Sequence, residues 1–135
     1  MPDAMAREGM NASLKSVFVP AIRKLGFKGT LPHFRRTHDG RVDLLTVQFD
    51  RRGGRFVVEI SRCGSEGVTT PWGKHIAASK ATAHDVHPDL RHRLGSPEPG
   101  IDGHWFRFDD GTASLAVARS LCTYLGEAER WWSAR

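Results

Sequence analysis

Five histidines in the second half of the chain, His75, His84, His87, His92 and His104, are the first candidates for chemistry. The i, i+3 spacing of His84 and His87 would set two imidazoles on one helical face, with His92 in reach. A metal shell needs more than this. Pro88 follows at once, no acidic or cysteine ligand stands at a fixed spacing, and no HExxH motif occurs, so loop or surface histidines are expected and no metal site. Nucleophilic catalysis has no GxSxG elbow behind it and no GxxxxGK[ST] phosphate loop. Arg51 to Arg55 is Gly-rich and basic, yet it joins two antiparallel strands and reads as a hairpin tip. No catalytic residue and no cofactor is expected, and the balance leans against an enzyme.

A second constellation is cationic and aromatic. Arg35, Gln48, Arg55, Glu59, Trp105 and Arg107 are expected on the outward face of a sheet, with Arg91 and Arg93 as further unpaired charge. An aromatic ring flanked by guanidinium groups makes a platform for a base, a peptide or a nucleotide. Sheets that read RNA expose two or three aromatics, and here only Trp105 qualifies, so a solvated face with Arg–Glu pairs is the stronger expectation. A row of Arg36, Asp43 and Arg62 offers net positive charge at the strand ends, where ion pairing is expected to be structural. Trp131 and Trp132 point about 100° apart on a helix, so one should pack inward and the other should cover the sheet edge or a dimer contact.

The elements that position these groups follow from turn chemistry and alternation. Asp39-Gly40 is a favoured two-residue hairpin turn, and pairing His38 with Arg41 sets Phe34 opposite Leu45 and Arg36 opposite Asp43. A second turn at 51–54 pairs Phe49 with Phe56, Val47 with Val58, Leu45 with Ile60 and Asp43 with Arg62. Every pair agrees in character, and a one-residue slip would reverse every face. Phe106 and Phe108 are expected inward on a fourth strand, with Trp105 and Arg107 outward.

Helices should flank this meander. Leu14, Val17, Phe18, Ala21, Ile22 and Leu25 form an apolar stripe, with Asn11 or Ser13 as cap, a kink or break at Pro20, and Gly26 with Phe27 closing a Schellman motif. Asp109 to Thr112 should cap a C-terminal helix with Leu115, Ala118, Leu121, Cys122, Leu125 and Ala128 inward. Residues 64–73 and 95–100 read as loops, and 74–83 as a weak helix ended by Pro88. Positions 91–94 read as a short extended or helical piece.

Composition bounds the functional classes. The chain has 135 residues and carries 20 Lys+Arg, fifteen of them Arg, against 15 Asp+Glu, a net charge of +5. That is enough to attract acidic partners if clustered, but modest for nucleic acid. Cys63 and Cys122 match no disulfide or zinc spacing, and both are read as reduced. No apolar run has the length of a membrane span, so a cytoplasmic protein without membrane contact is expected. Residues 1–11 read as a disordered leader and 12–135 as one domain.

The run Leu14 to Phe27 ending in Lys-Leu-Gly-Phe, then Phe34-Arg35-Arg36, the strand pair Val42 to Arg62, Arg91-His92-Arg93-Leu94-Gly95 and Trp105-Phe106 resembles the bacterial domain of unknown function 4304 family. The resemblance implies an α+β fold with helices on one side of an antiparallel sheet, and carries no known site residues. The expectation is therefore an antiparallel sheet of four or more strands with N- and C-terminal helices on one face. Its role is expected to be a non-catalytic binding or protein-interaction module. An unknown protein or an anionic ligand is the expected partner; a homodimer is a further option, and a weak shape-reading nucleic-acid-binding domain is the alternative.

Overall fold

The turn at Asp39 and Gly40 sets the sheet. Both residues have positive φ, 50° and 74°, as a type I′ turn requires, and its twist matches the strands it joins. His38 closes on Arg41, and pairing continues through Arg36 with Asp43 and Phe34 with Leu45. Across the next hairpin Phe49 meets Phe56, Val47 meets Val58, Leu45 meets Ile60 and Asp43 meets Arg62. Both registers are those expected from the sequence.

The computed structural model describes residues 2–95, 104–109 and 112–134. Helix α1 (Pro2–Ser13), a π turn (Leu14–Phe18) and α2 (Val19–Lys24) lead into β1 (Lys28–Thr30), β2 (His33–His38), β3 (Arg41–Phe49) and β4 (Arg55–Gly64). A crossing segment holds β5 (Val68–Thr69), β6 (His75–Ile76) and two 3-10 turns, Ala83–Asp85 and Pro88–Leu90. Then come β7 (His92–Arg93), β8 (Phe106–Arg107), α3 (Ser114–Cys122) and α4 (Leu125–Ser133). The main sheet is antiparallel in the order β1-β2-β3-β4-β7, and β8 also pairs with β4. This is the α+β architecture expected, with the helices on one face.

That face holds the main core. Met10, Leu14, Phe18 and Ile22 meet Phe34, Leu45, Val58 and Ile60, and Val117, Leu121, Ala128 and Trp132 close the other side. Gly26, with φ of 97°, ends α2, and Phe27 N–H donates to Ile22 O, the Schellman closure expected. Trp132 is buried and its indole N–H donates to Ser61 O at 2.9 Å, while Trp131 stacks on His92 at the sheet edge.

Several local expectations are corrected. The first helix starts at Pro2 and takes in residues read as a disordered leader, because Met10 extends the apolar stripe by one turn and is buried. Neither Asn11 nor Ser13 caps it; the Ser13 hydroxyl lies 2.9 Å from that of Ser114. The break associated with Pro20 is a π turn, in which Val19 N–H reaches back to Leu14 O. Widening the turn there accommodates a proline whose ring and missing N–H would disturb a regular helix. Residues 74–83 form no helix. Leu115 faces solvent and Val117 takes the inward place, since the helix begins at Ser114 after an Ala113 cap and breaks at Thr123 and Tyr124. Asp110 and Gly111 of the expected cap, and most of the 95–100 loop, lie outside the described residues.

The largest correction concerns the second sheet face, expected to be open. Val42 and Leu44 point that way and are buried beneath Ala81, Ala83 and Val86 of the crossing segment. Leaving such side chains wet would forfeit roughly 1.5–3 kcal/mol each. The segment is held by polar hooks. Arg35 donates twice to Ala81 O, Arg91 donates to Val86 O and His84 O, and Ser61 Oγ donates to Leu90 O. Thr82 and Asp85 close a capping box within it.

On the helical face one carboxylate joins the layers. Asp43 is 0% exposed and accepts from Arg36 Nη2 at 2.8 Å, while His38 Nε2 lies 2.7 Å away. Arg36 also binds Glu129 of α4 at 2.6 Å, donates to Leu25 O, and lies over the Phe27 and Trp132 rings. Burial alone would lower the Arg36 pKa; the hydrogen bonds to Glu129 and Asp43 outweigh it and raise it. Arg62, paired with Asp43 across the strands, donates to Trp132 O, so the row finishes strand ends and seats α4. Asp43→Ala should lower unfolding stability by about 3–5 kcal/mol in urea titrations, because it removes the fully buried partner of Arg36 and His38 and leaves the guanidinium only the more exposed Glu129. Glu129→Gln, at the more exposed pair, should cost under about 1 kcal/mol; equal losses would contradict this ranking.

Candidate anion-binding cleft

The cleft lies where His84 of the covering segment meets the strands and the first helix. Register places His33, Thr46, Glu59 and Arg93 side by side in one row across β2, β3, β4 and β7. His84, from the 3-10 turn of the covering segment, lies against this row. Its Nε2 is 3.2 Å from Glu59 Oε1, off the line of a good hydrogen bond, and its ring meets His33 edge-on with centroids 6.4 Å apart. His33 Nδ1 is 2.9 Å from the Thr46 hydroxyl.

Beside this row opens a cleft of about 450 Å³. One wall is helical, with Arg7 and Asn11 of α1 and Lys15 of the π turn; a second is strand, with His33 and Gln48; His84 closes the third. Leu31, Pro32 and Phe49 give it an apolar side. No carboxylate lines it among the described residues. Arg7 rests over the Phe49 ring at 4.7 Å. Among the described residues, Lys15, Asn11 and Gln48 make no side-chain hydrogen bond or ion pair, and neither does Nε2 of His33. These are donors with hydrogen-bonding capacity left over.

The row is electrostatically coupled. Burial pushes the His33 pKa below its ordinary value, and His84 and Arg35 add to the fall, with Asp85 opposing. The facing His84 ring holds the Glu59 carboxyl below the usual range against the effect of burial, helped by Arg91 and Arg93. Perturbed titratable groups at a concave site are a physical marker of function.

The expected site residues fall into three groups. Gln48 reaches the cleft, and Glu59 and Arg93 belong to the row behind it. Arg35 and Arg91 hold the covering segment, so their guanidinium groups serve the fold. Trp105 does have cations beside it, Arg55 at 3.9 Å and Arg93 at 5.5 Å from its ring centre, and Arg55 also binds Asp50 at 2.7 Å. Arg107 is exposed beside Asp109. Of the five histidines first considered, only His84 lines the cleft: His75 is exposed on β6, His87 caps a 3-10 turn, His92 binds Glu127, and His104 packs on Phe106 and Tyr124. Among the described residues no three of His, Cys, Asp and Glu converge as a metal shell.

His33, Lys15 and Arg7 were not singled out as a site from the sequence. Their only signal is that His33 occupies an outward register position and Lys15 the polar side of the first helix. Linkage gives the two groups the same direction as acid is added, in different pH windows. The unfolded chain protonates His33 more readily than the folded one, so its contribution falls as pH drops below about 6.5. Glu59 contributes stability present above its unfolded pKa, which fades as pH falls through the lower folded value. In melting curves against pH, His33→Gln should flatten the limb just below about pH 6.5 and Glu59→Gln the limb below about pH 4.5; superimposable profiles would contradict the coupling.

No curated protein and no solved structure matches the chain. A family profile matches residues 18–135, which include His33, Thr46, Gln48, Glu59 and His84, whereas Arg7, Asn11 and Lys15 precede the matched stretch. By that match the chain belongs to the DUF4304 family, a domain of unknown function.

Proposed function

We propose that the protein is a non-catalytic binding module that takes an anionic ligand in the cleft between the first helix and the end of the sheet. The observation that carries this reading is the convergence of Lys15, Arg7, His33 and Gln48 on one concavity with no described carboxylate lining it. Low-dielectric walls strengthen the field of such a set, and the apolar side through Leu31, Pro32 and Phe49 suits an organic anion over a bare ion. A nucleic-acid surface is the weaker reading. The Trp105 ring already carries guanidinium groups, Arg35 and Arg91 are tied to main-chain carbonyls, and the face that would have formed the platform is covered.

Inorganic phosphate, titrated at constant ionic strength with chloride as the balance, should raise the melting temperature along a saturating curve. A ligand at a hundred times its Kd stabilises by about 2.7 kcal/mol. Lys15→Glu should weaken the apparent affinity about tenfold or more, equivalent to ~1.4 kcal/mol, while Lys80→Glu, on the exposed covering segment, should leave it unchanged. A phosphate response that does not saturate, or that is equal in both variants, would remove the cleft as the binding site.

A further inference from the structure

We propose that the anion is the tetrahedral phosphoryl or sulfuryl head of an organic ester, and that the His33–His84 pair binds this head together with a proton. The proposal rests on the anion-binding reading above and specifies its ligand and its regulation. Donors reach the cleft from three walls: Lys15 from the helical side, His33 and Gln48 from the strands, and His84 from the covering segment. A tetrahedral head presents oxygens in several directions and can meet all three. A carboxylate has two oxygens in one plane, and would leave one wall unanswered. The cleft of about 450 Å³ exceeds what such a head fills, and its apolar side would hold the ester's organic part.

The proton follows from what surrounds the two rings. His33 faces Arg35 on its own strand, Thr46 on β3, His84 and Asp85 on the covering segment, and Lys15 and Arg7 on the helical wall. His84 faces Glu59 on β4, with Arg91 and Arg93 nearby. Without ligand, cations outnumber anions around His33, and burial also disfavours its charge. A phosphoryl or sulfuryl head seated beside Nε2 sets negative charge next to the ring, so His33 gains a proton as the ligand enters. Glu59, 3.2 Å from Nε2 of His84, meanwhile sets a negative charge beside the second ring of the pair. Binding therefore takes up protons together with the ligand, and affinity must rise as pH falls.

Isothermal titration of the full chain with sodium sulfate tests this, since sulfate keeps its double charge over the whole range, whereas a phosphate ester titrates near pH 6. Binding should be about tenfold tighter at about pH 5.5 than at about pH 8, and buffers of different ionisation enthalpy should report a maximal uptake of about half a proton between these limits. His33→Gln, with unchanged tryptophan fluorescence, should weaken sulfate binding and abolish its pH dependence; His84→Gln is the second variant and should weaken binding as well. Acetate should bind about tenfold more weakly than sulfate at acid pH. Sulfate binding independent of pH and without proton uptake would overturn the proton coupling while leaving an anion site. Acetate equal to sulfate would overturn the tetrahedral head. Failure of every anion to bind at any pH would instead overturn the anion-binding reading itself.

Discussion

Everything in this molecule depends on the register of β3 against its two neighbours. Because side chains alternate across a strand, the pairing of Phe34 with Leu45 and Leu45 with Ile60 decides at one stroke which residues face the helices and which face the covering segment. A slip by one residue would carry Asp43 to the wrong face and expose the Leu45, Val47 and Val58 layer. The Asp39-Gly40 turn fixes one side of that register. Asp43 supports it from within, since a fully buried carboxylate is tolerable only where Arg36 and His38 can reach it. Arg36 then extends the same constraint to α2 and α4 through Leu25 O and Glu129.

The same register creates the site. It sets His33, Thr46, Glu59 and Arg93 in one row, on a face whose apolar half must be covered because Val42 and Leu44 lie there. The covering segment is therefore both a lid on the second small core and the carrier of His84. Its attachment uses guanidinium groups on carbonyl oxygens, and these hooks tie the position of His84 to Arg35 and Arg91. Charge at Arg35 and Arg91 that looked available for partners is in this way committed to architecture, whereas Arg7 and Lys15 line the cleft.

The parts of this arrangement that the sequence disclosed are those governed by local rules. Both hairpin registers, the Gly26 closure and the inward Phe106 could be read because turn chemistry and alternation act over a few residues. The covering segment could not be read. Val68, Ile76, Ala81, Ala83 and Val86 follow no single period, and the hooks end on main-chain carbonyls, which every sequence possesses. The cleft was lost with it: His84 was visible as a histidine, but its closeness to Glu59 and His33 depends on the path of that segment. The helical wall was missed for a different reason, because a polar leader gave no hint that Met10 would anchor it in the core.

The central claim is that an anion enters the cleft and is held by the paired imidazoles. Imidazole resonances followed by NMR during addition of sulfate at about pH 6.5 test it most directly. His33 should shift along a saturating curve toward the protonated form and the His84 resonances should move along the same curve, while the exposed His75 and His87 stay still. Movement of all the histidines in parallel with ionic strength, or of His75 and His87 alone, would contradict the account.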